Sequence, residues 1–321
     1  MTTQKNNPLN DALGNHPLVF EIRPPIGEKD RASLSELARK TSDQLKSTGR
    51  LNGINIPEIA DENHEGKPWY RTRHNPDIAK LLEDSLGIET IVNKSVAYLQ
   101  DQEFRKYIEE TRGLFGLRNF TVVGPNTSAR SYPGLSVPDA TRIAKHMLSE
   151  SNGLVGNVSI PQRVGEPDRM LKKTIAGTDF FTTQLIFEPE GVHISRLIEY
   201  ARLCEEAGVK PAAVLLSFAP LLNKEDYEFY VWLGAELSED TARRILKNDG
   251  KDAVDNSVQN AQLVYINAKR RLKKAGKFVP VGVNVGEVRP GHGTAPVTML
   301  NSFADLLRNG TDVSVALEHR R

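Results

Sequence analysis

Short apolar runs alternate along the chain with longer stretches whose apolar residues recur every three or four positions. The runs at 17–23, 53–57, 88–95, 119–123, 153–160, 179–187, 212–218 and 278–285 predict strands. Between them the spacing predicts helices over 30–46, 76–85, 168–176, 193–207 and 296–308, one opening at Asp101 and closing at Gly113, and one opening at Ser136. A helical stretch over 224–248 leads to a long helix over 252–275, where Val254, Val258, Ala261, Tyr265, Ala268 and Leu272 form one apolar stripe. Pro24-Pro25 stops the first run, since proline cannot continue a sheet ladder.

Each strand is followed by helix, and parallel strands need crossover connections of that kind. Eight such units point to one closed (β/α)8 barrel over residues 17–321, a TIM barrel with a helical insertion before the last strand. An open dinucleotide-binding sheet is disfavoured, because no G-x-G-x-x-G follows the first strand. Residues 1–16 are polar and read as a flexible N-terminal arm.

Charge narrows the partners. Lys and Arg total 42 against 41 Asp and Glu, so no global field attracts a nucleic-acid backbone or an anionic membrane. Cys204 is the single cysteine, which excludes an internal disulfide or a cysteine-based metal cluster and fits a reducing cytoplasm. The seven histidines lack paired metal-ligand spacing, so no metal is expected.

In a barrel of this type the site lies at the C-terminal ends of the strands. Glu21 stands there on the first strand between Phe20 and Ile22, where an apolar setting would raise its pKa and suit a general acid. The alternative is an ion pair with Arg23, two residues on and on the same face. Glu58, after Ile56-Pro57, is expected to face the same mouth, or else to belong to a solvated acidic loop over 58–65. The glycine-rich segment Gly286 to Thr294, with Arg289, follows the last strand where barrels often bind phosphate. It reads either as an anion site or as a flexible connection. Asn126, in the loop after the fourth strand, is a candidate contact to substrate.

Two segments carry a resemblance. Val19-Phe-Glu-Ile-Arg-Pro-Pro25 resembles the opening strand of the methylenetetrahydrofolate reductases, and Ala176-Gly-Thr-Asp-Phe-Phe-Thr-Thr-Gln-Leu-Ile-Phe-Glu188 resembles that family's sixth-strand segment. The resemblance implies a cytoplasmic oxidoreductase of one-carbon metabolism that reduces 5,10-methylenetetrahydrofolate to 5-methyltetrahydrofolate. Glu21 would be the acid that opens the imidazolidine ring, and Gln184 would hydrogen-bond the pterin edge, unless it is a buried glutamine satisfied by backbone. Lys172-Lys173 matches a basic pair that meets the cofactor phosphates, or is plain surface.

The departures bear on the cofactor. Val122-Val-Gly-Pro-Asn126 stands where the family has Arg-Gly-Asp, and Ser159-Ile-Pro-Gln-Arg163 where it has a Tyr-Pro-Glu-like segment. Either flavin is held differently, or it is dispensed with and NADH or NADPH gives hydride directly; the expectation is no tightly bound flavin, with Glu58 balancing the substrate's positive charge. Two rivals stay open: a pterin-dependent methyltransferase or other tetrahydropterin one-carbon reductase, and a non-catalytic pterin-binding barrel. In each, the partner is a small-molecule folate.

Overall fold

The computed structural model describes residues 8–27, 29–59, 72, 74–125, 131–248, 251–289 and 291–309. Eight parallel strands close into a barrel in sequence order: β1 (Leu18–Glu21), β2 (Gly53–Ile56), β3 (Thr90–Ser95), β4 (Asn119–Val123), β5 (Val155–Ser159), β6 (Phe180–Leu185), β7 (Ala213–Phe218) and β8 (Val281–Gly286). Strand β8 pairs back onto β1, which leaves no edge. The expected (β/α)8 architecture is therefore the fold.

A ring of helices covers the barrel: α2 (Arg31–Leu45), α3 (Asn75–Leu86), α4 (Asp101–Phe115), α5 (Val137–Leu148), α6 (Glu166–Ile175), α7 (Val192–Glu206), α10 (Ala253–Lys274) and α11 (Ala295–Arg308). Their starts follow local chemistry. Asp30 and Ser136 accept hydrogen bonds from the backbone of Ser33 and Asp139, the N-cap arrangement that satisfies an orphan donor. Two limits shift from the sequence expectation for α4. Gln100 rather than Asp101 is its cap, through a reciprocal bond with Glu103, and the helix passes Gly113 to end at Gly116, whose φ of 71° closes it.

Alternate strand residues face opposite sides. Leu18, Phe20, Ile54, Ile56, Val92, Phe120, Val214, Leu216, Val281, Val283 and Val285 belong to the main core under the helices. Val19, Ile91, Leu154, Phe180, Ala213 and Leu215 form a separate cluster inside the barrel, toward its N-terminal end. Above that apolar layer the inward positions turn polar: Glu21, Asn55, Asn93, Thr121, Ser217 and Asn284.

Within the expected arm, the described residues begin at Pro8. Residues 8–12 form helix α1 (Pro8–Ala12), and Leu9 is fully buried against the interior cluster. Gly53 makes the room: a Cβ there would come within 3.2 Å of Leu9 Cδ1. One leucine in a polar segment closes the barrel floor, which a polarity average hides.

The insertion consists of α8 (Lys224–Trp232) and α9 (Glu239–Ile245), between β7 and α10. It has its own core, in which Tyr230 stacks on Phe187 with ring centres 5.3 Å apart. Glu188 ties it to the barrel by accepting from Ser238 N (2.7 Å) and Thr241 Oγ1 (2.9 Å).

Candidate active site

A cavity of about 970 Å³ opens at the C-terminal face of the barrel, the face where (β/α)8 enzymes carry their chemistry. Strand ends supply Glu21, Val123, Ser217 and Asn284 to its walls, while the insertion adds Trp232, Leu233 and Gly234. Such a concave, largely apolar space with a few convergent polar groups suits a small organic ligand.

Glu21 sits at its base. Register pairs it with Asn55 on one side and Gly286 on the other, which sets all three at one level. Asn55 Nδ2 donates to Glu21 Oε2 at 2.7 Å and Asn284 Nδ2 donates to the same oxygen at 3.2 Å. Burial raises the proton affinity of the carboxyl above the ordinary range, and the two amide bonds oppose that shift without cancelling it. With Oε2 occupied by donors, a proton on Glu21 belongs on Oε1. Oε1 has no hydrogen-bond partner among the described residues, and Gly286 lies alongside it, a Cβ built there standing 3.9 Å away. The alternative pairing with Arg23 is not formed; Arg23 acts electrostatically on Glu287 instead.

Gln184 lines the cavity because β6 bulges between Thr182 and Leu185, three residues spanning the distance of two on β7. Both ends of its amide are held by backbone: Nε2 donates to Leu233 O at 3.0 Å and Oε1 accepts from Leu185 N at 2.9 Å. Each end keeps capacity for one further bond, so Gln184 both anchors the insertion and presents an amide edge.

Two sequence candidates stand elsewhere. Glu58 is not in the cavity: on β2 the inward position is Asn55, and Glu58 follows the opposite face. Its carboxylate lies 2.6 Å from Lys94 Nζ and accepts from Ser95 N at 2.7 Å. Lys94 in turn sits 4.8 Å over the Tyr107 ring of α4. Arg289 also lies outside the cavity. Its guanidinium contacts the buried Asp226 at 3.2 Å and covers the Phe229 ring at 5.0 Å, so the β8 loop is pinned to the insertion rather than offered to an anion. His292 completes that cluster at 2.9 Å from Asp226. Thr294 stands at the N-cap of α11 without a side-chain capping bond. Asn126 lies outside the described residues.

The two lysines divide. Lys172 is exposed at the cavity rim. Lys173, expected beside it at the surface, turns under α6, where its ammonium donates to Val158 O at 2.8 Å and lies 3.7 Å from the fully buried Glu166. Burial lowers its proton affinity and Glu166 opposes this. The seven-residue spacing from Glu166 puts both on the inner face of the helix. Arg163 and Arg169 stand with Lys172 along the same wall, which is therefore cationic.

Sequence reasoning missed Asn55, Asn284, Glu287 and Trp232. A signal existed for the asparagines, each a poor strand former in an otherwise apolar strand at an inward position. Trp232 carried none, because only the folded insertion brings it to the cavity.

No metal-binding cluster occurs among the described residues, and none of their helices is long and apolar enough to cross a membrane.

No family model and no curated protein matches the chain. Among solved structures, a protein from Clostridium thermocellum aligns over 93% of this chain and 99% of its own, with a TM-score of 0.72 at 18% identity. That protein is described as binding two copies of 5-methyl-5,6,7,8-tetrahydrofolic acid. A monomeric dihydrodipicolinate synthase variant aligns more loosely, with a TM-score of 0.40 at 15% identity over 83% of this chain and 79% of its own. The likeness to the Clostridium thermocellum protein is one of fold.

Proposed function

We propose that this chain is an oxidoreductase that reduces 5,10-methylenetetrahydrofolate to 5-methyltetrahydrofolate with hydride taken directly from a reduced nicotinamide. The observation that carries this reading is Glu21. It is a carboxyl with raised proton affinity, open on Oε1 and held on Oε2, at the base of a cavity of ligand size. It occupies the strand end at which the Phe-Glu and Pro-Pro motif implied an acid.

The chemistry follows from that placement. Protonation of N10 by Glu21 breaks its bond to the bridging methylene and leaves a cationic N5-iminium. Hydride adds to the methylene carbon and converts it to methyl, the nicotinamide being oxidised; Glu21 then regains its proton from solvent. Positioning and proton transfer are the protein's share. Gln184 offers an amide edge to the pterin, and Arg163, Arg169 and Lys172 offer cations to the anionic end of either reactant. The 5-methyltetrahydrofolate described for the Clostridium thermocellum protein would be the product here.

Flavin fits poorly. Val123, Gly124, Pro125 and Ile160 bring no side-chain hydrogen-bond donor to that wall, and Lys173 is already committed to Val158 and Glu166. No step is assigned to it.

The test is consumption of NADH or NADPH by purified protein with 5,10-methylenetetrahydrofolate and no added flavin, with the methyl product identified by chromatography. Turnover that depends on the folate supports the reading. Turnover only after flavin is added overturns the direct transfer, and methyl transfer to a thiol without nicotinamide consumption overturns the reductase. Binding of the folate without any reaction would leave a pterin-binding barrel.

A further inference from the structure

The proposed reaction creates a cation in a cavity whose lining is already rich in cations: Arg23, Arg163, Arg169, Lys172 and Lys173. Positive charge developing there needs a fixed anion, since preorganised opposite charge is the largest source of stabilisation for such a species. Three described carboxylates line the cavity. Glu21 is the proton donor. Glu166 is fully buried, accepts from Ile160 N at 3.1 Å and lies within 4.0 Å of both Lys173 and Arg169. Its charge is spent on the wall.

Glu287 remains. It follows β8 directly, and its backbone N–H donates to Glu21 O at 2.8 Å, which fixes it beside the acid. Its carboxylate forms no hydrogen bond or ion pair with any described residue, and the partly buried residue lines the cavity. Burial raises its proton affinity, while Arg23 and His292 act in the opposite sense and favour the ionised form. A carboxylate that is partly desolvated and makes no hydrogen bond within the protein is free to meet a ligand's positive charge.

We infer that Glu287 is the counter-charge of the site, an ionised carboxylate that recognises a cationic form of the bound tetrahydropterin. The inference rests on the proposed function. It adds a selectivity for charge at the pterin end that the neutral reactant and product do not reveal. Glu21 and Glu287 then divide the work, with the acid's proton favoured by burial against two opposing amide bonds on one oxygen and the anion favoured by nearby positive charge.

Binding separates this from the reductase reading. The probes are freshly prepared 5,10-methenyltetrahydrofolate, a cation, and 5-methyltetrahydrofolate, which is neutral at the ring. Affinities are measured without nicotinamide for the unaltered protein, Glu287→Gln and Glu21→Gln. The unaltered protein is expected to prefer the cation. Glu287→Gln should weaken the cation by roughly 10- to 100-fold, as for loss of a partly desolvated charge partner, and the neutral ligand by less than about threefold. Glu21→Gln should keep the preference, since it leaves the Glu287 carboxylate in place. Equal loss for both ligands, or no loss for either, overturns the inference, and a melting temperature close to that of the unaltered protein shows that the fold is intact. Failure of turnover alongside a Glu287-dependent preference would overturn the reductase and leave the counter-charge standing. Binding of neither folate would remove both.

Discussion

Asn55 and Glu21 are register partners on adjacent strands, and the Asn55 amide donates to Glu21 Oε2 at 2.7 Å. The bond orients the carboxyl but leaves its proton affinity raised, because burial outweighs what Asn55 and Asn284 supply together. Glu21 therefore binds its proton more tightly in the folded chain than in the unfolded one.

The sign of the stability effect follows. Stabilisation by a carboxyl with a raised folded pKa is fully present below its ordinary range and is lost as pH rises through the raised value. Glu21→Gln removes that loss and, with it, the transferable proton. Thermal melts at about pH 8 should place the variant at or above the unaltered protein, with the advantage disappearing toward about pH 4. Turnover should fall by roughly 100- to 10,000-fold. Normal turnover, or a variant that is less stable at alkaline pH, would refute the acid role.

Glu58 and Lys94 form a contact of a different kind, with both side chains about one-fifth exposed. Removing one member leaves the other poorly compensated, and partial solvent screening limits the cost of Glu58→Gln to about 1–2 kcal/mol. Lys94→Met in the same background should recover part of that loss, and chemical denaturation of the two single variants and the pair would show it. Folate affinity should stay unchanged in all three. A selective loss of folate affinity in Glu58→Gln would return this residue to the site.

The contrast between Glu21 and Glu58 shows where sequence reading reached its limit. Alternation and capping residues were enough for eight strands, their order and the face that opens into the cavity, because each of those depends on local periodicity and on the short reach of crossover connections. The place of Glu21 at the cavity was legible through its strand position and its neighbours Phe20 and Pro24. Glu58 was misplaced because the face presented just past a strand depends on one residue of register. Arg289 was misread for another reason: its partner Asp226 is 63 positions away, on the insertion, and no local pattern reports that contact. Lys173 needed the helix phase of α6, which is set by Glu166 at its first residue.

Leu9 was hidden by the polarity of its surroundings and yields a stability prediction. It is fully buried at the barrel floor, away from the cavity at the opposite face. Leu9→Ala should cost about 2–5 kcal/mol, the usual range for truncating a buried leucine. Folate affinity, measured under conditions where the variant is folded, should match that of the unaltered protein. A cost below about 0.5 kcal/mol, the range of surface substitutions, would mean that α1 is not docked.

Asp226 gives the opposite pH signature to Glu21. Burial pushes its carboxyl up, but His292, the Leu222 N–H and Arg289 together outweigh burial and hold it below the ordinary range. Stability from such a group is present above the unfolded pKa and is lost as pH falls through the lower folded value. Asp226→Asn should therefore destabilise the protein at neutral pH by about 2–4 kcal/mol, since it leaves Arg289 without its charge partner and weakens the tie between the β8 loop and the insertion. The gap between variant and unaltered protein should close as the pH falls below about 3.5, where the carboxylate is protonated in the unfolded chain and is losing its charge in the folded one. Arg289→Ala should reproduce part of the destabilisation and leave the nicotinamide KM unchanged, because the guanidinium faces Asp226 and Phe229 rather than the cavity. A raised nicotinamide KM with an unaltered melting temperature would reverse that assignment and make Arg289 a cofactor contact after all.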